Sequence, residues 1–125
     1  SGKKEIMVVN DRLGTPCYTY DLAKLIDYLL NSKLYGIFHS ARGKGCSRFD
    51  IARSILDILQ LTNKVKIKTV QSNFFQKTYF APRPKSEKLV DTKLKSFNNN
   101  ILRPWQECLK DYLKKFNWTL PHTPV

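Results

Sequence analysis

Short apolar stretches alternate along the chain with longer stretches in which apolar residues recur every three or four positions. The short ones predict three strands, EIMVVN (residues 5–10), YGIFHSA (35–41) and KVKIKTV (64–70). The third alternates strictly and places its lysines on one face. That arrangement is typical of a half-buried strand near the edge of a sheet, where lysines discourage unwanted pairing.

The longer stretches predict helices with recognisable start signals. The first covers residues 20–31, with Thr19 as its N-cap. Its apolar stripe consists of Leu22, Leu25, Ile26, Leu29 and Leu30.

Two further helices and one helical turn are predicted downstream. Ser47 and Asp50 form a capping box of the S-x-x-D kind, which opens the helix RFDIARSILDILQL (48–61). Pro104 suits the first position of the helix PWQECLKDYLKKF (104–116), and DTKLKSF (91–97) predicts a short helical turn.

The order strand, helix, strand, helix, strand, loop, helix indicates an α/β or small α+β domain, with about three short strands and three to four helices. A chain of 125 residues is long enough for one domain. Residues 71–90 are predicted to be a long loop, and loops of that length are usually functional. Residues 1–4 are interpreted as a linker outside the fold, 5–115 as the domain and 116–125 as a tail.

The chain is strongly basic. It has 22 Lys and Arg against 10 Asp and Glu, a net charge of +12 at pH 7. This excess favours anionic partners. The basic residues are spread over separate elements, whereas a nucleic-acid-binding module would gather them with interleaved aromatic residues. We therefore expect no nucleic-acid partner.

The cysteines indicate a reducing compartment. Cys17, Cys46 and Cys108 are odd in number, widely spaced and without a CxxC pair, which predicts three reduced thiols and no zinc site. No apolar run approaches the roughly 18–20 residues that span a bilayer, and no signal peptide is recognisable. A cytoplasmic protein without a membrane partner is predicted.

Tyr20 and Lys24 have the Y-x-x-x-K spacing of the proton-transfer pair in short-chain dehydrogenases. Spacing of four residues puts both side chains on one face of the first helix, opposite its leucines, so we expect them to be solvated. No glycine-rich strand-to-helix fingerprint precedes them to hold a nicotinamide cofactor. The pair is interpreted as a coincidence, and no catalytic residue is assigned.

Two other stretches are candidate anion sites. HSARGKGCS (39–47) ends at a helix N-terminus, where free amides bind phosphate, but it matches no phosphate-loop pattern. Gly43 and Gly45 more simply supply positive φ in a turn. Arg83 lies between two prolines that restrict the backbone, and a guanidinium presented in this way suits bidentate binding of a diphosphate. A solvent-exposed loop arginine is the alternative.

Four stretches, in this order, resemble the C-terminal half of the dTDP-4-dehydrorhamnose reductase family. They are VVNDRLGTPCYTYDLA, GIFHSARGKGCSRFDIAR, RPKSEKLVDTKL and LRPWQECLKDYL, and the resemblance runs from about residue 5 to residue 113. The family belongs to the extended short-chain dehydrogenases. The resemblance implies the substrate-binding C-terminal portion of an extended Rossmann-type reductase.

The sequence departs from the family pattern at defined positions. The family motif V-N-D-Q-x-G-x-P-T has Arg12 in place of its glutamine and Cys17 in place of its last threonine. In the family motif R-P-x-x-S-x-L-D-x-x-K-L, Arg83 matches, whereas Val90 replaces the acid. In related enzymes an arginine at the position of Arg83 contacts the sugar-nucleotide diphosphate. The resemblance therefore predicts Arg83, Arg12 and Thr15 as substrate-binding residues.

The activity implied by the resemblance is reduction of the 4-keto group of a dTDP-sugar with NADPH, giving dTDP-L-rhamnose. In that family the cofactor loop and the catalytic residues lie in the N-terminal half. This chain alone is therefore expected neither to bind NADPH nor to catalyse. Its predicted partners are the dTDP-sugar, the N-terminal half and, through uncovered apolar surface, a second copy. A non-enzymatic alternative is a regulatory protein like the similar regulatory subunit of methionine adenosyltransferase, although LRPW (102–105) favours the reductase.

Overall fold

Two small sheets and four helices make up the described part of the computed structural model, which covers residues 4–75, 84–97 and 101–116. A short 3-10 helix follows the fourth strand. In chain order the elements are β1 (Glu5–Val9), β2 (Leu13–Gly14), α1 (Thr19–Asn31), β3 (Cys46–Ser47), α2 (Arg48–Ile58), β4 (Lys66–Val70), the 3-10 helix (Ser72–Phe75), β5 (Ser86–Glu87), α3 (Thr92–Ser96) and α4 (Trp105–Lys115).

The first sheet pairs β1 with β4 in parallel, with Glu5 opposite Lys66 and Val9 opposite Val70. The parallel pairing requires a crossover, and α1 and α2 lie within it. Helix α2 packs against both strands. The strands predicted at residues 5–10 and 64–70 are therefore confirmed, each to within two residues.

The second sheet has the order β3–β2–β5 and joins three distant segments. Strand β2 pairs antiparallel with β3 and parallel with β5, each over two residues. The predictions had residues 11–16 as a turn and 71–90 as a loop, so β2, β5 and the 3-10 helix are corrections. Strands of two residues leave no periodic pattern in the sequence.

The capping box of α2 is confirmed. The Ser47 hydroxyl accepts from the Asp50 amide at 3.1 Å, and the Asp50 carboxylate accepts from the Ser47 amide at 2.8 Å. The helix ends at Ile58 and not at Leu61 as predicted, because Gln60 adopts φ +56°. The amide of Leu61 then bonds the carbonyl of Leu56 at 2.8 Å, which closes a Schellman motif without a glycine.

The other two helix starts differ from the predictions. Thr19 is the first residue of α1 and not its cap; Tyr18 is the N-cap, with no side-chain cap bond. Pro104 is the N-cap of α4 and not its first helical residue. Neither N-cap side chain accepts a hydrogen bond from a helix amide, so these two helix N-termini must be stabilised by packing.

The strand predicted over residues 35–41 does not form, and the stretch runs as an irregular segment. Gly36 has φ +112°, which breaks regular extended geometry. No described strand lies beside this stretch to complete a ladder. Alternation in the sequence cannot supply the neighbour that a strand requires.

The central core joins α1, α3 and the segment that precedes α4. It consists of Leu25, Leu94 and Leu102, with Leu29, Phe38 and Ile101 packed against it. Leu25 and Leu94 are each only 2% exposed. The five-residue helix α3 is thus fixed by one leucine that reaches α1. The tail predicted from residue 116 falls, beyond Phe116 itself, outside the described residues.

Candidate functional site

Strand β2 carries the predicted substrate-binding motif and holds it against β5. Arg12 precedes β2 and Thr15 follows it. The amide of Leu13 donates to the carbonyl of Lys85 at 3.1 Å, in addition to the β2–β5 pairing. The structure thereby brings together the two motif segments that the sequence separates by about 70 residues.

Arg12 is anchored at one end of its guanidinium. Its Nε donates to Ser72 Oγ at 2.9 Å, and that hydroxyl donates to Asp11 Oδ2 at 2.9 Å. The Ser72 amide also donates to Asp11 Oδ1 at 2.9 Å. The terminal nitrogens of Arg12 make no hydrogen bond to a described residue, which leaves them available to an anion.

Asp11 holds this arrangement together while its carboxylate is charged. Partial burial by itself would raise the pKa of Asp11, but the bonds from Ser72 and the nearby Arg12 charge lower it below its usual value. A charged Asp11 keeps the Ser72 hydrogen pointing towards itself. The lone pairs of Ser72 are then free to accept from Arg12.

Thr15 links the motif to the chain after β5. Its Oγ1 accepts from the Leu89 amide at 3.2 Å, and its hydroxyl hydrogen is left for a second partner.

Gly45 directly precedes β3 and does not have the positive φ that was predicted for it. Gly43 does have a positive φ, of +82°. A side chain at Gly45 would clash with Lys88 and stand 3.0 Å from the Gly14 carbonyl. Glycine at position 45 therefore permits the close approach of β3 and the β5 segment.

Arg83, the first of the predicted binding residues, lies outside the described residues. Pro84, directly after it, begins the described segment that leads into β5. Its predicted role is untested by the geometry.

The Tyr20–Lys24 pair makes a surface contact. Lys24 Nζ lies 4.4 Å from the centroid of the Tyr20 ring, and Lys115 Nζ lies 4.9 Å from the same centroid. Tyr20 is 49% exposed. These are cation–π contacts at an exposed site, worth roughly 0.5–1 kcal/mol.

A depression in the described part of the chain lies elsewhere, between α2 and the start of α4. It is open, with a volume of about 370 Å³, and Trp105 forms part of its wall. Lys44 and Arg53 are balanced there by Asp50 and Asp57. Neither Arg12 nor Thr15 lines it, and its balanced charge gives an anion no preference for it.

A buried ion pair escaped the sequence reasoning. Arg103 binds Asp21 through two bonds of 2.9 Å, from Nε to Oδ2 and from Nη2 to Oδ1. Its Nη1 also donates to Asp111. Asp21 is 2% exposed and lies one turn before the core residue Leu25. An acidic residue four positions before a core leucine lies on the buried face of its helix. This spacing is the sequence signal that could have revealed the pair.

The Cys108 thiol completes this cluster. Its Sγ donates to Asp21 Oδ2 at 3.3 Å. Burial, with a contribution from Asp21, raises the pKa of Cys108 to about 11, so it is a thiol at neutral pH. Burial would also raise the pKa of Asp21, but the bonds from Arg103 and Cys108 lower it below its usual value. The cluster ties α1 to α4 and presents no nucleophile.

Neither a metal-binding cluster nor a membrane span is found in the described ranges. No three His, Cys, Asp or Glu side chains there are grouped as metal ligands. No helix in those ranges is long and apolar enough to cross a bilayer. All three cysteines are free, with Cys17 exposed and Cys46 and Cys108 buried.

Comparison with known proteins decides the family. The sequence model of the RmlD substrate binding domain family matches residues 1–118 of the chain. The chain belongs to the RmlD substrate binding domain family. The resemblance to the C-terminal part of dTDP-4-dehydrorhamnose reductases is thereby confirmed.

Two curated relatives align with nearly all of this RmlD substrate binding domain. The spore coat polysaccharide biosynthesis protein SpsK of Bacillus subtilis (strain 168) is 31% identical over 115 residues, which are 90% of this chain and 38% of that protein. The dTDP-4-dehydrorhamnose reductase of Mycolicibacterium smegmatis is 30% identical over 112 residues, 89% of this chain and 33% of that protein. The domain thus spans 38% of the first relative and 33% of the second.

Solved structures of dTDP-4-dehydrorhamnose reductases share the fold of the domain. The one from Clostridium acetobutylicum has a TM-score of 0.84 and 32% identity, over 93% of this chain and 40% of that chain. The one from Bacillus anthracis, solved in complex with NADP, has a TM-score of 0.78 and 29% identity, over 90% of this chain and 38% of that chain. The predicted fold class, a mixed α/β portion of such a reductase, is confirmed.

Proposed function

We propose that this chain is the substrate-binding portion of an NADPH-dependent reductase that converts dTDP-4-dehydro-L-rhamnose to dTDP-L-rhamnose. The observation that carries the proposal is the β2–β5 pairing, which holds the Arg12 motif beside the segment that follows Arg83. Family membership and the names of the relatives supply the substrate class. The cytoplasm remains the expected location.

The proposed ligand contacts are charge-assisted. Arg12 is fixed through Nε by Ser72 and offers its terminal nitrogens. Arg83 would supply a second guanidinium from the segment before β5. Two guanidinium groups suit the two phosphates of a dTDP-sugar, because each can bind phosphate oxygens in bidentate fashion. The Thr15 hydroxyl retains a hydrogen for a further polar group of the ligand.

The cofactor is assigned to the portion of the reductase outside this chain. When bound, NADPH supplies the hydride for the 4-keto carbon. The N-terminus of α2 does not fit a cofactor phosphate. The Ser47 hydroxyl already accepts the hydrogen bond of the Asp50 amide, and the Asp50 carboxylate adds a negative charge there. The residues of this chain are proposed to bind and orient the sugar nucleotide only.

The isolated 125-residue chain is expected to consume no NADPH in the presence of a dTDP-4-keto sugar, measured by absorbance at the nicotinamide band. The full-length protein is expected to consume it. Its coding sequence upstream of Glu5 should encode a G-x-x-G-x-x-G loop and a later Y-x-x-x-K. Turnover by the pure 125-residue chain would contradict the proposal, and a full-length protein that binds dTDP-sugar without turnover would favour the regulatory alternative.

Replacement of either proposed arginine is expected to weaken dTDP-L-rhamnose binding. Arg83→Ala or Arg12→Ala in the full-length protein should each cost about 1–3 kcal/mol in calorimetry, as for a charge-assisted contact. Ser72→Ala should weaken binding several-fold, since it releases Arg12. In a double-mutant cycle, Ser72→Ala should have no further effect once Arg12 is alanine.

Arg53→Ala is the matched control, because Arg53 is exposed on α2 and lines the depression that neither Arg12 nor Thr15 lines. Its affinity should equal that of the unmutated protein. Unchanged affinity in Arg83→Ala would remove that residue from the site. Additive effects of Ser72→Ala and Arg12→Ala would show that Ser72 does not act through Arg12.

A further inference from the structure

The 3-10 helix Ser72–Phe75 carries an exposed aromatic ring next to the anchored Arg12. Phe74 is 55% exposed. Its ring makes a T-shaped contact with the Phe75 ring, with the centroids 5.0 Å apart and an interplanar angle of 85°. Its amide donates to the Gln71 carbonyl at 3.0 Å. The ring is therefore held by its backbone and by one neighbour, while much of its surface is open among the described residues.

The position of this short helix is fixed relative to the Arg12 guanidinium. Ser72, its first residue, accepts from Arg12 Nε and donates to Asp11 Oδ2, each at 2.9 Å. A 3-10 helix rises about 2 Å per residue, so the backbone of Phe74 lies only about 4 Å further along the helix axis. The open ring is thus less than one helical turn from the side chain that holds the proposed diphosphate ligand.

An unpaired carboxamide adjoins the ring. Asn73, between Ser72 and Phe74, is exposed, and its side chain makes no hydrogen bond to a described residue. A carboxamide has two donor hydrogens and an acceptor oxygen. A flat ring with such a group beside it matches a nucleobase, because the ring can stack on the face of the base and the amide can bond the polar atoms of its edge. The saturated ring of a sugar offers no flat π-face for such a stack.

We propose that Phe74 stacks on the base of the sugar nucleotide and that Asn73 hydrogen-bonds the edge of that base; we call these two residues the base subsite. The inference deepens the proposed function and rests on it. In that function Arg12 binds the diphosphate, and the hydride donor belongs to the portion outside this chain. The 4-keto sugar has to reach that donor. The nucleoside end of the ligand is therefore the end left for residues of this chain.

Calorimetry on the full-length protein tests the stack with two probes, dTDP and inorganic pyrophosphate, since only dTDP carries a base. Phe74→Ala should weaken dTDP binding at least about fivefold, the lower end for loss of a base–aromatic stack. Its affinity for pyrophosphate should change no more than about twofold, as for an ordinary surface substitution. Phe74→Tyr keeps the ring and should retain dTDP affinity. Phe74→Leu keeps only an apolar side chain and should lose it.

Asn73→Ala tests the contact with the edge of the base. The variant should lower the preference for dTDP over dCDP, because thymine and cytosine present different donors and acceptors at that edge. Its affinity for pyrophosphate should not change. An unchanged preference between the two nucleotides would remove Asn73 from the base subsite and overturn that part of the proposal.

Phe116→Ala is the matched control. Phe116, at the end of α4, is 58% exposed, and its ring centroid lies 5.0 Å from that of Tyr112. The variant should alter neither affinity.

The failure of the base subsite and the failure of the proposed function give different results. Unchanged dTDP affinity in Phe74→Ala, while Arg12→Ala still weakens it, overturns the base subsite and leaves the proposed function standing. An equal loss for dTDP and pyrophosphate, or full dTDP affinity in Phe74→Leu, assigns Phe74 to packing and also overturns the proposal. Absence of dTDP binding in the unmutated full-length protein contradicts the proposed function itself, and this inference with it.

Discussion

Asp21→Asn is expected to lower the free energy of unfolding of the chain by about 1–3 kcal/mol, the range for loss of a hydrogen bond to a charged group whose partner is partly exposed. Asp21 is 2% exposed and receives both Arg103 bonds and the Cys108 thiol. Asparagine keeps the size of the side chain but removes the buried charge beside the Arg103 guanidinium, which is 31% exposed and keeps only Asp111 as a counter-charge among the described residues. Urea unfolding at pH 7 measures the difference.

The pH dependence gives a second readout of the same carboxylate. The folded pKa of Asp21 lies below its unfolded value of about 3.9, so its contribution is complete above that pH. It is lost as the pH falls through the folded pKa. The unmutated chain should therefore lose stability below about pH 4, and Asp21→Asn should lack that part of the loss.

Asp27→Asn, on the same helix, is the matched control. Asp27 is exposed, and its side chain accepts only from Asn31 at 3.2 Å. We expect a change within about 0.5 kcal/mol, as for an ordinary surface substitution. Equal effects of Asp21→Asn and Asp27→Asn would show that the Arg103 pair does not hold α1 to α4.

Leu25→Ala is expected to cost about 2–5 kcal/mol, the range for a buried leucine that leaves a cavity. Leu25 is 2% exposed and joins α1 to Leu94 and Leu102. Because α3 is only five residues long, loss of this contact should also detach it. Thermal unfolding followed by circular dichroism measures the stability, and hydrogen exchange in residues 92–96 reports α3.

Leu30→Ala provides the comparison within the same helix. Leu30 is 79% exposed, so in the isolated chain its truncation should cost little. Similar losses for Leu25→Ala and Leu30→Ala in the isolated chain would contradict the burial seen in α1.

The predictions that held were those that depend on neighbours in sequence. The capping box needs only Ser47 and Asp50, three residues apart. The helical period of α1 and the alternation in β4 likewise repeat within one element. The family was recognisable because its motifs are short and ordered along the chain.

The predictions that failed, or were not made, depend on partners far away in sequence. Arg103 meets Asp21 across 82 residues, and Ser72 meets Arg12 across 60. The two-residue strands β2 and β5 exist only because they pair with each other. The stretch at residues 35–41 has the sequence of a strand but no described neighbour to pair with.

The sequence by itself determined the helices, the longer strands, the family and the identity of the candidate arginines. Only the tertiary structure decided that Arg12 is fixed by Ser72, that Thr15 accepts from the Leu89 amide and that Ile26 and Leu30 of the α1 stripe are exposed. The physical reason is that local periodicity specifies which side chains share a face. What that face meets is decided by contacts between distant segments, which periodicity does not encode.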